Sequence, residues 1–170
     1  MKSIDIKSVI IGVLGTILVF VSIGATDKNL GDITVNSISV KNNKGEDCIW
    51  MGVSPNDEGY LITYNADGKE TSYLGTGEDG GGFISTLNAD GKQTSYLGTA
   101  EEDFGFLRTF NANGKETSYL GTGEGGGGFL VTNNKLGVRV GYFGSDNSQD
   151  GLIGVFDRYG DIGWSANGKK

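Results

Sequence analysis

The sequence predicts an all-β protein of tandem two-strand repeats that follow one N-terminal transmembrane helix. Two observations lead to this prediction. A stretch without charged residues runs from Ser8 to Thr26 and is dominated by Val, Ile, Leu and Phe. After it, the sequence NADGKETSYLGT, which begins at Asn65, recurs in close variants at Asn88 and Asn111, at a constant spacing of 23 residues. An internal period of this length is typical of repeat architectures.

The composition excludes several classes of function. The chain has 31 Gly and 1 Pro, and regularly placed aromatic and aliphatic residues accompany the glycines, which indicates turns rather than collagen or disorder. It has no His and one cysteine, Cys48, which excludes imidazole catalysis, His or Cys zinc clusters and an intramolecular disulfide. A net charge of −7 argues against a nucleic-acid partner, because such a partner requires a basic face.

The N-terminal segment has the length and polarity of a single membrane span. At about 1.5 Å per helical residue its charge-free part reaches roughly 28 Å, close to a bilayer core of about 30 Å. Lys2 and Lys7 precede it, and the positive-inside rule then places the N-terminus in the cytoplasm. The alternative is a secreted protein, released by signal cleavage near Ala25.

These observations divide the chain into three parts. Residues 1–26 are expected to form a cytoplasmic stub and signal anchor, and residues 27–32 a linker. Residues 33–170 are expected to form the repeat domain, which lies in the periplasm or outside the cell in either case.

The repeat extends beyond its three clearest copies. One step of 23 residues back from Asn65 reaches Asn42, with Trp50 and Gly52 in the slots of Tyr73 and Gly75. Steps forward from Asn111 preserve the Asn or Asp and Gly slots as far as the C-terminus. The sequence therefore contains six units, which start near residues 42, 65, 88, 111, 134 and 157.

Each unit has the pattern of two strands joined by a turn. Asn-Ala-Asp-Gly predicts a hairpin in which Asn bonds to its own backbone and Gly takes the left-handed position. Before the turn, aliphatic residues such as Leu61 alternate with hydroxyl residues such as Thr63, and we expect these slots to face the core. The slot between them is predicted to meet solvent: Ile62, Ser85, Arg108, Val131, Gly154.

A unit of this size cannot bury its own apolar slots, so neighbouring units are expected to stack. The favoured arrangement is a β-solenoid, made of hairpins or of rounded coils. In it, the turn asparagines would form one ladder and the tyrosines another. The alternative is a closed twelve-strand barrel or a trefoil-like body, because closure removes exposed sheet edges.

Residues 112–128, ANGKETSYLGTGEGGGG, resemble the hairpin repeats of cell-wall choline-binding proteins. Those repeats place Trp and Tyr directly after Asn-Gly-Lys, where this chain has Glu116 and Thr117, so an aromatic cage for choline is incomplete here. The whole chain resembles bacterial membrane-anchored proteins with exported Gly-rich tandem β repeats. That resemblance implies a location and an architecture but no activity.

One aromatic residue per unit forms the candidate interaction surface. Aromatic faces stack on sugar rings or pack on the apolar patch of a protein partner. The competing interpretation is that an aromatic ladder only stabilises the sheet. The residues of this surface are Trp50, Tyr73, Tyr96, Tyr119 and Tyr142.

Acidic residues cluster in the connectors between units. If these loops stack along one edge, their oxygen atoms could hold Ca²⁺, although a solvated acidic rim is the simpler interpretation. No other cofactor is expected. The candidate ligands are Glu78, Asp79, Glu101, Glu102 and Asp103.

The predicted function is that of a non-enzymatic, membrane-anchored scaffold or assembly subunit that contacts other proteins or further copies of itself. Catalysis generally requires an asymmetric group of residues in a pocket, whereas repetition provides similar surroundings many times. The alternative function is an envelope carbohydrate-binding module that uses the tyrosine column. A glycosidase that relies on carboxylates alone is a third hypothesis.

Overall fold

The computed structural model describes residues 5–26, 32–77, 79–100 and 103–169. The chain divides into two compact units, Met1–Val35 and Asn36–Lys170. Within the described ranges, the first unit contains one helix and the second contains twelve strands, so a helical segment precedes an all-β repeat unit.

Helix α1 spans Ile6–Thr26. Asp5 caps its N-terminus, because the carboxylate accepts hydrogen bonds from the Lys7 backbone N–H at 3.1 Å and from the Ser8 hydroxyl at 2.8 Å. From Ile6 to Val19 every side chain is exposed. Among the described residues, no helix combines the length and apolar character that crossing a bilayer requires.

The second unit is one antiparallel sheet of twelve strands whose spatial order is their order in the chain. This confirms the predicted repetition of two-strand units. The strands are β1 (Ser37–Lys41), β2 (Asp47–Val53), β3 (Gly59–Tyr64), β4 (Glu70–Thr76), β5 (Gly82–Leu87), β6 (Gln93–Thr99), β7 (Gly105–Phe110), β8 (Glu116–Thr122), β9 (Gly128–Asn133), β10 (Arg139–Ser145), β11 (Gly151–Phe156) and β12 (Ile162–Asn167).

The units stack as hairpins in one open sheet, rather than as the rounded coils of a solenoid or as a closed body. A coiled solenoid pairs equivalent strands of successive coils, whereas here a tight turn follows every strand and the chain reverses each time. Equivalent residues therefore lie two strands apart rather than on adjacent strands. A closed barrel would pair β1 with β12, but in the described structure β1 pairs with β2 alone and β12 with β11 alone.

The predicted Asn turns are confirmed. In the turn that begins at Asn65, the Gly68 N–H donates to the Asn65 carbonyl at 3.0 Å, and Gly68 has a φ of 75°. The Asn65 side-chain oxygen accepts hydrogen bonds from the backbone N–H groups of Asp67 and Lys69. Only glycine adopts this left-handed conformation without strain. We call the side of the sheet that carries these turns the Asn edge.

The opposite side of the sheet, the connector edge, has turns with the same backbone hydrogen-bond pattern. Their left-handed position is filled by glycine in some units and by other residues in the rest. In two of the three turns without Gly at this position, the first turn residue accepts two backbone hydrogen bonds through its side chain, as Ser54 and Asp146 do. The third begins at Ala100. The residues in the left-handed position are Asp57, Gly80, Asp103, Gly126 and Gln149.

A register shift interrupts each strand pair next to an Asn turn. In the pair β3–β4 it falls between Thr63 and Tyr64, so that Tyr64 lies opposite Glu70 and Thr63 lies opposite Ser72. The bulge brings the hydroxyl of Thr71 to the face that carries Thr63 and Ser72. It also returns Glu70 to the other face.

The two faces of the sheet are used in the opposite way to that predicted. In the slot of Leu61, which was expected to face the core, Ile84, Leu107, Leu130 and Ile153 are 36–43% exposed. The slot expected to meet solvent is instead the most buried: Ile62 is 8%, Ser85 6% and Val131 6% exposed. The prediction was wrong because it assumed that the aliphatic slot, and not the aromatic one, faces inward.

Bonds between successive Asn turns provide a test of how the units are tied together. The Asn111 amide donates to the Lys135 carbonyl of the next turn at 3.1 Å, in addition to the bonds within its own turn. Asn111→Asp keeps the acceptor and removes this donor, so we expect it to lower the free energy of unfolding by about 1 kcal/mol. Chemical denaturation measures the change.

Asn65→Asp is the matched control, because Asn65 makes the same two bonds within its turn. Within the described residues its amide nitrogen has no partner in the next turn. Equal losses in the two variants would contradict a role for the bond between turns.

Candidate functional site

One face of the sheet carries an uninterrupted row of aromatic rings, which we call the aromatic ladder. Two sets of residues alternate in it. The five predicted residues come from the even-numbered strands β2 to β10, and rings from the odd-numbered strands lie between them. The ladder consists of Trp50, Tyr60, Tyr73, Phe83, Tyr96, Phe106, Tyr119, Phe129 and Tyr142.

The rings of the ladder stack face to face. From Tyr60 to Tyr142 the centroids of neighbouring rings are 4.8–5.9 Å apart and the ring planes differ by 6–17°. Rings with nearly parallel planes and centroids this close are too wide to lie next to each other in one plane, so they are stacked. The stacking is offset, the arrangement that aromatic pairs prefer. Both faces of each ring between the two ends are therefore covered by its neighbours.

A glycine makes room for each ring of the even-numbered strands. The Tyr96 ring lies over Gly98, two residues further along the same strand, and Gly98 pairs with Phe83 of the adjacent strand. A side chain at this glycine would occupy the space of the ring. The same relation holds for the pairs Trp50–Gly52, Tyr73–Gly75, Tyr119–Gly121 and Tyr142–Gly144.

The odd-strand members of the ladder were not predicted from the sequence. The signal was present, because an aromatic residue recurs directly before the aliphatic slot of each of these units, at residues 60, 83, 106 and 129. Adjacent residues of a strand point to opposite faces. The aromatic and aliphatic slots of one strand therefore lie on opposite faces of the sheet.

The ladder replaces a hydrophobic core. Ile62 lies opposite Trp50 and Tyr73, and Val131 lies opposite Tyr119 and Tyr142, so each is flanked by rings on both sides. This flanking explains why these residues are buried in a single layer of strands. The tyrosine column therefore packs against the most buried residues of the sheet.

Arg108 occupies the same slot in β7 and is accommodated by the ladder. Its guanidinium lies 4.7 Å from the centroid of the Phe106 ring and 5.3 Å from that of Tyr119. Its Nε lies 3.4 Å from a carboxylate oxygen of Glu116. Cation–π contacts and one ion pair thus take the place of aliphatic packing.

Burial in the ladder also changes the acidity of its phenols. Burial raises the pKa of Tyr73 above its usual value of 10.0, and the charges of Tyr60 and Glu58 add to the effect. Burial and the nearby Asp79 raise the pKa of Tyr96 in the same direction. The folded sheet therefore holds these protons more tightly than the unfolded chain does.

The contact between ring and glycine can be tested with one methyl group. A Cβ on Gly98 would lie 2.5 Å from Cε1 of Tyr96 and 2.9 Å from Cβ of Phe83. The Tyr96 ring cannot swing aside, because it is stacked between two others. We expect Gly98→Ala to lower the free energy of unfolding by about 1–3 kcal/mol in chemical denaturation.

The control for this variant is Gly105→Ala, because a Cβ on Gly105 meets nothing within 4 Å. We expect a change within about 0.5 kcal/mol there. Equal destabilisation by the two variants would show that the ring contact is unimportant.

The raised phenol pKa values predict a loss of stability in alkali. A group whose pKa is raised on folding stabilises the folded state fully below its unfolded pKa, and this contribution is lost as the pH rises through the folded pKa. The midpoint of denaturation should therefore fall as the pH rises above about 10. Tyr96→Phe keeps the ring and removes the phenol, so its midpoint should fall less steeply, and identical slopes would contradict the prediction.

The other face of the sheet carries an exposed apolar row, which we call the apolar stripe. Every strand contributes one residue, and the register pairs each member with the next. Exposed fractions run from 36% at Leu130 to 62% at Phe143 among the large exposed members. The stripe consists of Ile38, Met51, Leu61, Leu74, Ile84, Leu97, Leu107, Leu120, Leu130, Phe143, Ile153 and Ala166.

Hydroxyl groups flank the apolar stripe on the side of the Asn edge. In each of three hairpins the bulge brings three of them together, in what we call the hydroxyl clusters. The Thr63 oxygen lies 2.8 Å from that of Thr71 and 2.6 Å from that of Ser72, and the Thr71 hydroxyl donates to the Thr63 carbonyl. The other two clusters are Thr86, Thr94, Ser95 and Thr109, Thr117, Ser118.

The charged residues of the strands all lie on the aromatic face. Arg108 pairs with ladder residues on both sides, and the bulges return the residues next to the Asn turns to the same face. Among the described strands, the face of the apolar stripe thus carries no charge. The charged residues are Lys41, Asp47, Glu70, Arg108, Glu116 and Arg139.

The predicted acidic rim is only partly described. Glu78, Glu101 and Glu102 lie outside the described residues. Asp79 accepts a hydrogen bond from the Gly81 N–H, and Asp103 holds the left-handed position of its turn, so both have structural roles at the connector edge. Among the residues that the structure describes, no three acidic or Cys side chains are grouped to hold a metal ion.

No protein-family model and no curated protein matches the chain. Among solved structures, 74% of this chain is similar to 22% of a chain in the crystal structure of a variant of S. aureus TarM in complex with fondaparinux, alpha-GlcNAc-glycerol and UDP. The identity is 15% and the TM-score 0.35. A TM-score of this size does not define a shared fold.

Proposed function

We propose that the protein is a non-enzymatic, membrane-anchored scaffold or assembly subunit that binds protein through its apolar stripe. One observation carries the proposal, namely the register that aligns one apolar residue from every strand on an uncharged and uncovered face. Soluble monomers rarely expose a continuous apolar patch larger than a few hundred Å². Such patches are typical of interaction sites.

The single layer of strands supports this proposal. Stable domains bury the apolar face of a sheet against a second layer. Among the residues whose burial is described, the large apolar side chains that are buried are Ile62, Phe106 and Val131, and all three lie on the aromatic face. A partner on the stripe face would supply the missing layer.

The N-terminal segment supports attachment to a membrane. The run without charge from Ser8 to Thr26 lies within α1, and the large apolar side chains between Ile6 and Val19 are exposed around the helix. Lysines precede the run, which favours a cytoplasmic N-terminus and a repeat unit on the other side of the membrane.

The repetition of the site favours binding over catalysis. The hydroxyl clusters recur in three hairpins with the same partners. Within these clusters, no hydroxyl is distinguished from its equivalents by a neighbouring general base. An enzyme generally requires groups whose surroundings push their pKa values apart. This arrangement offers the same surroundings repeatedly.

Stacking within the ladder weighs against the carbohydrate-binding alternative. Sugar rings bind to the exposed face of an aromatic ring, but here ring faces are covered by neighbouring rings at 4.8–5.9 Å between Tyr60 and Tyr142. The edges of these rings remain for contact with solvent. The tyrosine column therefore supports the sheet better than it supports glycan binding.

Charge placed on the apolar stripe tests the proposed function. The double variant Leu97→Glu, Leu120→Glu puts two carboxylates into the contact, where their desolvation opposes binding. Cross-linking of the full chain in its own cells, followed by gentle solubilisation, should then give about tenfold less cross-linked complex than the unmodified chain, equivalent to about 1.4 kcal/mol or more.

Leu136→Glu is the matched control, because Leu136 is 66% exposed in an Asn turn rather than on the stripe. This variant should retain the complex. Near-UV circular dichroism of the aromatic ladder reports whether each variant is folded. Unchanged complexes in the folded double variant would contradict the proposal.

A further inference from the structure

We infer that the occupant of the apolar stripe is a second copy of this chain, packed face to face through the same stripe about a twofold axis. This inference rests on the proposed function, because it names the partner of that surface. Four properties of the stripe face carry it: its length, its area, its lack of charge and its hydrogen bonding.

The length of the stripe restricts the partner. The eleven intervals between its twelve strands, at about 4.8 Å each, make it roughly 53 Å long. A partner that covers it needs an uncharged apolar surface of equal length. A second copy has such a surface, because it carries the same stripe. A twofold axis that runs along the stripe places the two stripes against each other. Each hydroxyl cluster then lies beside the row that flanks the partner's stripe on the connector edge.

The area agrees with that of a stable dimer. With its flanking rows the stripe is about 13 Å wide, so the contact buries roughly 700 Å² per copy, within the size of specific interfaces at about 600–1,000 Å² per partner. Between Leu97 and Phe143 the stripe also holds an open hollow of ≈ 450 Å³, where side chains of the partner can insert.

The contact would desolvate no charge. The six charged strand residues lie on the aromatic face, so a second sheet about 10 Å away meets only apolar and hydroxyl groups. This matters for a chain with a net charge of −7, because two copies repel each other unless their charges are held apart.

The hydroxyl groups beside the stripe do not oppose the contact. In each cluster the hydroxyls bond to one another and to a backbone carbonyl, as Thr86, Thr94 and Ser95 do at 2.7–3.1 Å. Polar groups that are already paired cost little when water is removed. The stripe face is thus suited to a dry interface.

A cysteine at the centre of the stripe tests this inference. The midpoint of the twelve strands lies between β6 and β7, so Leu107 stays close to a twofold axis whether that axis runs along the stripe or along the strands. Full chains with Cys48→Ser and Leu107→Cys, carrying two different tags, are reconstituted in lipid nanodiscs and treated with a short bifunctional maleimide. Packed sheets lie about 10 Å apart, too far for a direct disulfide but within the span of this reagent, so a mixed-tag cross-linked dimer reports the contact.

Glu70→Cys in the same background is the control, because Glu70 is exposed on the aromatic face. We expect Leu107→Cys to give about tenfold more cross-linked dimer than this control. Adding Leu97→Glu should abolish the dimer, and adding Leu136→Glu should preserve it.

Leu61→Cys then distinguishes the two axes, and each result supports the inference. An axis along the stripe joins Leu61→Cys to itself. An axis along the strands joins it instead to Phe143→Cys, because β3 then faces β10 of the second copy.

Equal dimer from Leu107→Cys and Glu70→Cys in folded chains would overturn the inference. Light scattering that shows open-ended oligomers insensitive to Leu97→Glu would also overturn it, since it indicates pairing through the edge strands β1 and β12. If no dimer forms but the double stripe variant still loses another protein in cells, the proposed function stands and only the identity of the partner fails. If neither effect is seen, both fail.

Discussion

The stacking of aromatic rings over glycines is the interaction on which the whole sheet depends. Each ring pair of this kind contributes about 0.5–1.5 kcal/mol beyond the burial of its area, and the ladder runs from Trp50 to Tyr142. It buries Ile62, Ser85 and Val131 without a second layer. A single sheet can therefore be ordered on one face while its other face stays open.

The separation of the two faces follows from register. Because adjacent residues alternate, the pair Tyr96–Leu97 always places a ring on one face and an aliphatic group on the other. A slip of one residue would exchange the faces of a whole strand and break the ladder. The same register that completes the ladder thus aligns the apolar stripe, so stability and the proposed binding surface share one cause.

The unit-by-unit construction also shapes the energetics. Each strand pairs only with its neighbours in the chain, so the stability of the sheet is close to a sum of units and of contacts between adjacent units. Bonds between turns, such as that from Asn134 to the Arg158 carbonyl, add to these contacts along the Asn edge. A second sheet on the apolar stripe would couple units that are distant within one chain.

The sequence alone determined the period of 23 residues, the number of strands and the chemistry of the Asn turns, because these depend on residues close together in the chain. Only the tertiary structure decided that the sheet is open and which face is covered. Alternation is equally compatible with either face inward, and the ladder requires cross-strand pairs such as Phe83 beside Gly98. The bulge at Thr71 changes the alternation near each turn, which explains why the charges of the strands gather on the aromatic face.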